Sequence, residues 1–168
     1  MPAKKSIPSS KIAEQAVEAM TCYFCRVAET FGLPRSVALI YNALFVADRP
    51  LSFTEIVKHA GIAKGSAFTG LKMLEQMRAV EEVVIHASRS TYYRPELSLR
   101  RLAAGFLQHS LLPGLEASGR LLDTAPSVDN PKLPEHHRQR LSSLRHWHEA
   151  SQGLLPMLGT LGALDSSR

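Results

Sequence analysis

Apolar residues in the first part of the chain recur at helical spacing. Ile12, Ala16, Met20, Tyr23 and Val27 predict a helix from about Ser10 to Thr30. The run Phe31-Gly32-Leu33-Pro34 stops it, and Pro34 suits the first turn of a second helix. That helix covers Arg35 to Ala47, with Val37, Ile40, Tyr41, Leu44 and Phe45 on one face, and Pro50 lies beyond its end. Ser52 with Glu55 three positions later has the spacing of a capping box, so a short helix from Ser52 to Ala60 should bury Phe53, Ile56 and Val57. Gly61 suits a left-handed backbone that ends this helix, and Ile62 can fill the angle to the next. The next helix runs from about Lys64 to Arg78. Ala67, Leu71, Leu74 and Met77 should point inward, and Gly65, Thr69, Lys72 and Gln76 outward.

After Arg78 the period changes from helical to extended. Val80, Val83, Val84 and Ile85 read as one strand, residues 86–90 as a turn, and Thr91 to Arg94 as a second strand ending at Pro95. Two helices joined by a short turn and followed by a hairpin predict a mainly α chain with a small β-hairpin, a winged helix-turn-helix. Leu97 to Leu122 returns to helical spacing, with Pro113 and Gly114 expected to kink or interrupt it. Residues 123–134 contain Pro126, Pro131 and Pro134 and form a polar connection. A last helical stretch carries Leu144, Trp147, Leu154, Leu158 and Leu161, interrupted by Pro156. The domain expectation is an N-terminal dimerisation helix at 1–30, a winged core at 31–95 and a C-terminal helical dimerisation region at 96–168.

Composition narrows the class without naming a partner. The 168 residues are 45% hydrophobic and 21% charged, as in ordinary globular proteins. No apolar run approaches the roughly 18 residues that a bilayer requires, and the basic N-terminus lacks an apolar signal core. A cytoplasmic protein without membrane contact is expected. The net charge of +5 permits a nucleic-acid partner. It is spread thinly: residues 1–50 carry six Lys/Arg against four Asp/Glu, 51–95 six against four, and 96–168 eight against seven. Charge alone does not lead to DNA.

The chemistry turns on Gly61 to Met77, GIAKGSAFTGLKMLEQM. Its order of Gly and Lys does not give GxxxxGK[ST], and it follows a helix, not a strand, so it is not a phosphate loop. As the second helix of a helix-turn-helix, it would bring Lys64, Gly65, Ser66, Phe68, Thr69 and Lys72 to the major groove and its phosphates. Arg35 joins this DNA-contact set, and Arg89 near the hairpin tip would enter the minor groove. For an isolated amphipathic helix a solvated outer face would be the plainer account; the hairpin that follows favours DNA.

Cys22 and Cys25 lie three apart, on one face of the first helix, as a thiol switch or half a metal site would require; two small core residues are the plainer alternative. No second CxxC exists, and the clustered His136, His137, His146 and His148 fit a polar face better than a metal site. No GxSxG, HExxH or paired-carboxylate pattern appears. No enzyme activity, cofactor or metal is expected.

At these residues the chain resembles a known family. GLPRS (Gly32 to Ser36) with nearby Tyr41, GIAKGS (Gly61 to Ser66) and SRSTYY (Ser88 to Tyr93), in this order, are similar to the GbsR-type branch of the MarR superfamily of bacterial transcriptional regulators. The resemblance covers about Phe31 to Leu122. It implies a homodimeric winged helix-turn-helix regulator, bound to double-stranded DNA, dimerised through its outer helices and modulated by a small-molecule effector; members of this branch respond to osmolytes such as choline or glycine betaine. Four departures stand out. Ala63 replaces a capping Ser, worth about 1 kcal/mol. Phe68 replaces a small polar residue and either packs inward against the hairpin or meets a thymine methyl. No glycine closes the helix near Arg78, and Arg89 is the lone basic residue of the wing tip. The alternatives are a winged-helix protein-interaction module, or a DNA-binding redox or metal sensor using Cys22 and Cys25.

Overall fold

The structure, a computed structural model, describes residues 9–85 and 90–161. The elements in order are α1 (Ser9–Thr30), α2 (Arg35–Val46), β1 (Leu51–Ser52), α3 (Phe53–Ala60), α4 (Lys64–Gln76), β2 (Val80–Val83), β3 (Tyr92–Pro95), α5 (Leu99–Phe106), α6 (Leu112–Asp123) and α7 (Glu135–Leu161). A π-helical segment, Leu107–Leu111, joins α5 to α6. The chain divides into two compact units. One runs to Leu97; the other takes Ser98 onward together with Gln76–Arg78.

In the first unit the expected helices form where their local signals lie. Ser52 accepts from the Glu55 N–H while the Glu55 carboxylate accepts from the Ser52 N–H, so the capping box is complete. Arg49 also donates to Glu55 at 2.6 Å. That contact first, then the bonds from Ser52, hold the Glu55 carboxyl down to about 2. Gly61 ends α3 at φ +63°, its N–H bonded to the Val57 carbonyl at 3.1 Å. Ile56 is fully buried, while Phe53 and Val57 are only half-buried.

The core gathers around α2. Ile40 and Leu44 are fully buried beside Val37, Ala38 and Ala43. α1 meets α2 through Phe24, whose ring lies edge-on to Tyr41 and to Phe45, each at 5.0 Å, and through Ala28. Asn42 donates to the Thr21 hydroxyl at 2.8 Å. Tyr23 and Ile12 are exposed, so the inner side of α1 is the Thr21–Phe24–Ala28 stripe. Tyr41 donates its hydroxyl to the Glu96 carbonyl, which ties α2 to the end of β3. Burial, with Glu96 adding, pushes the Tyr41 hydroxyl up to about 12, so it stays a donor.

The sheet departs from expectation in two ways. Its strand order is β1-β3-β2, all antiparallel, with Leu51 opposite Tyr93 and Val83 opposite Tyr92. β1 was not foreseen, because two residues carry no period and become a strand only by finding β3. β2 stops at Val83, short of Ile85, and Val84 is 86% exposed. A strand ends where its partner ends, whatever the β-propensity of the next residues.

The second unit is helical among its described residues. Ser98 accepts from the Arg101 N–H, so α5 starts after it, and Leu97 stays outside the helix. The expected interruption at Pro113 takes the form of the π-helical segment before it. Proline has no N–H and crowds the carbonyl four residues back, here His109, and a wider turn accommodates both. Pro156 does not interrupt the last helix: α7 runs through it to Leu161, since one proline removes a single hydrogen bond from a long helix. Arg138 pairs with Glu135 at 2.9 Å and reaches the carbonyls of Asn130 and Leu133, holding the connection before α7. α7 packs on α6 at Gly119, where a Cβ would stand 2.3 Å from the His148 Nε2.

Candidate nucleic-acid interface

α3, the left-handed Gly61 and α4 make a helix-turn-helix, and β2–β3 make the hairpin after it. The arrangement holds α4 by one face. Ala67, Leu71, Leu74 and Met77 are buried as expected. Gly70 is buried too, and a Cβ there would stand 2.6 Å from the Ile40 Cδ1 and 3.6 Å from the Val37 backbone nitrogen. A side chain at this position would have to displace the buried end of Ile40, while the first turn of α2 lies at ordinary contact distance. Sequence periodicity passes over Gly70, because a glycine adds nothing to an apolar stripe.

The opposite face is open. Lys64, Gly65, Ser66, Phe68, Thr69, Lys72 and Gln76 are all exposed, and no carboxylate is among the exposed positions of the helix. The six α4 residues expected to contact DNA thus share one surface. Arg35 is exposed at the start of α2, whose first turn meets Gly70. Arg89 lies outside the described residues. Ala63, which has no side-chain acceptor, precedes α4, and its carbonyl accepts from Ala67 at 2.9 Å. The helix therefore opens without a side-chain cap, and its first N–H groups carry the positive end of the helix dipole.

Phe68 points outward, not against the hairpin. The residue is 56% exposed, and the Lys72 Nζ stands 4.9 Å from the ring centroid. A cation over an aromatic face one turn away contributes on the order of 0.5–1 kcal/mol at an exposed site and limits where both groups can go.

A carboxylate pair joins α4 to the hairpin. Glu75 lies close to Glu82 of β2. Its carboxyl is raised by burial first and by the Glu82 charge next, with Lys72 opposing. Tyr93 of β3 is raised by burial and by the same two carboxylates. This cluster has no local signature, since it depends on how β2 faces the last turn of α4. On the other side of the ladder Glu81 pairs with Arg94, directly opposite it in register. Arg78 follows α4 in the left-handed region at φ +54°, a conformation that glycine adopts more readily.

The two thiols lie apart from this surface. Cys22 is exposed and Cys25 half-buried on α1, and both are free. Among the described residues no three His, Cys, Asp or Glu side chains gather as metal ligands would, and no helix is long and apolar enough to cross a membrane. A cleft of about 650 Å³ lies between α6 and α7, lined by Glu116, Arg120, Asp123, Arg145 and His148 among others.

No family model and no curated protein matches the chain. Solved structures do. One, a transcriptional regulator, superposes with a TM-score of 0.58 at 20% identity, over 90% of this chain and 98% of its own. A Staphylococcus aureus MepR variant bound to an oligodeoxyribonucleotide gives 0.41 at 16% identity, over 83% and 99% of the two chains. Bordetella bronchiseptica BpsR, whose DNA binding is regulated by 6-hydroxynicotinic acid, gives 0.38 at 15% identity, over 85% and 95%. The first of these likenesses establishes the architecture along nearly the whole length of both chains: a mainly helical winged helix-turn-helix with a three-stranded antiparallel sheet.

Proposed function

We propose that the protein is a sequence-specific, double-stranded-DNA-binding transcriptional regulator of the MarR superfamily and its GbsR-type branch, a cytoplasmic homodimer modulated by a small molecule. One observation carries the reading. The outer face of α4 presents Lys64, Gly65, Ser66, Thr69 and Lys72 with no carboxylate among its exposed residues and only the half-buried Glu75 beside Lys72, while Gly70 seats the inner face on α2. In a winged helix this is the face that enters the major groove. Arg35 and Arg89 add phosphate and minor-groove contacts. The transcriptional regulator that shares the fold lends the same direction.

Exposed apolar side chains support the homodimer. Leu99, Leu121 and Trp147 are 77%, 72% and 66% exposed in the second unit, and Ile12 and Tyr23 are exposed on α1. A closing partner chain would set two α4 helices about 34–36 Å apart on successive major grooves. The cleft between α6 and α7 has room for a small polar effector.

An anisotropy titration against the DNA upstream of the protein's own gene, with random-sequence competitor at two salt concentrations, tests the proposal. Binding should survive the competitor, and Lys72→Ala should lower the salt slope by about one counterion. An unchanged slope would remove Lys72 from the contacts. Binding no tighter than to competitor would favour a protein-interaction module, the reading that an exposed Phe68 also suits. Control through the Cys22 and Cys25 thiols predicts that diamide changes DNA affinity; unchanged affinity rejects it.

A further inference from the structure

We infer that Phe68 is a specificity-determining residue that reads the C5-methyl group of a thymine in the major groove. The inference rests on the DNA-binding reading and adds to it the base that the helix selects. Phe68 is the large apolar residue on an otherwise polar outer face, and it is 56% exposed. It cannot donate or accept a hydrogen bond, so it cannot satisfy the amino group that adenine or cytosine presents in the major groove. The thymine methyl is the one apolar group displayed there, and burying it against a ring removes apolar surface of both from water.

The surroundings direct the ring to that partner. Lys64, Phe68 and Lys72 are spaced four apart and form one ridge of α4, with the ring in the middle and a lysine one turn to either side. The two lysines are about 12 Å apart along the axis, one turn to either side of the ring. Cations there can meet backbone phosphates and leave the middle of the ridge to the base edges. The Lys72 Nζ, 4.9 Å from the ring centroid, orients the ring before DNA arrives. With Gly70 seated against Ile40, α4 cannot roll to hide Phe68 without lifting its inner face from α2.

The test uses the full chain and a duplex selected from a random library. Each thymine of the selected duplex is replaced in turn by deoxyuridine, which removes the methyl and nothing else, and affinity is read by anisotropy. One thymine position should lose about fourfold, the worth of one buried methyl-sized group. Phe68→Ala should abolish that difference and keep the salt slope, because the lysines remain; Phe68→Leu should keep part of it. Tolerance of deoxyuridine at every thymine in a specifically bound duplex would overturn the inference and leave the DNA reading standing. A library that yields no enriched duplex would overturn both.

Discussion

The two units differ in how they close. Every buried apolar side chain among the described residues lies between Ala28 and Val80, all but Met77 in the first unit, with Ile40, Leu44 and Ile56 fully enclosed. From Ser98 onward, the buried positions among those described are glycines, Gly105 and Gly119, while Leu99, Leu121, Leu144 and Trp147 face outward. The winged unit is thus a folded object in its own right. The helical unit packs closely at its glycines, Gly105 against the Met77 backbone and Gly119 against the His148 ring, and leaves large apolar side chains uncovered. The contrast sets a closed core around α2 against later helices whose large apolar side chains are open.

The largest effect should come from the closed core. Ile56→Ala opens a cavity at a site with no exposed surface and should cost about 2–5 kcal/mol, read from denaturant unfolding. The paired change Leu121→Ser with Trp147→Ser should leave the chain folded and change its unfolding free energy as a monomer by about 0.5 kcal/mol or less. If those side chains hold a dimer, sedimentation should show the species halving in mass. Equal cooperative destabilisation by both sets of changes would erase the contrast between the units.

Smaller changes sharpen it. Arg78→Gly relieves a left-handed residue, worth about 1–2 kcal/mol, less about 0.4–1 kcal/mol for the freer unfolded chain. A net gain of about 0.5 kcal/mol in thermal unfolding is expected, and a loss would mean that the Arg78 side chain matters more than its backbone. The smallest effect concerns the capping box. Glu55 is held at about 2 in the folded chain, below its usual 4.5, so its contribution is present above pH 4.5 and fades as pH falls towards 2. Glu55→Gln should flatten the fall in melting temperature across that window; an unchanged slope would assign the acid sensitivity to other carboxylates.

The sequence by itself determined what short-range chemistry governs. The capping box at Ser52 and Glu55, the left-handed Gly61, the starts of α2 and α4 and the inward stripe of Ala67, Leu71, Leu74 and Met77 each depend on residues within about four positions, and each was legible. The outward placement of Gly65, Thr69, Lys72 and Gln76 followed from the same period. What only the tertiary structure decided is whatever needs a distant partner. Leu51 and Ser52 are a strand because β3 lies beside them, and Val84 is not one because the ladder has ended. Gly70 matters because Ile40 occupies the space its side chain would fill. Phe68 could have packed inward or faced out, and its apolar character favoured neither. With Gly70 and Leu71 taking the positions against α2, the ring is left outside, beside Lys72, at the centre of the surface where DNA is proposed to bind.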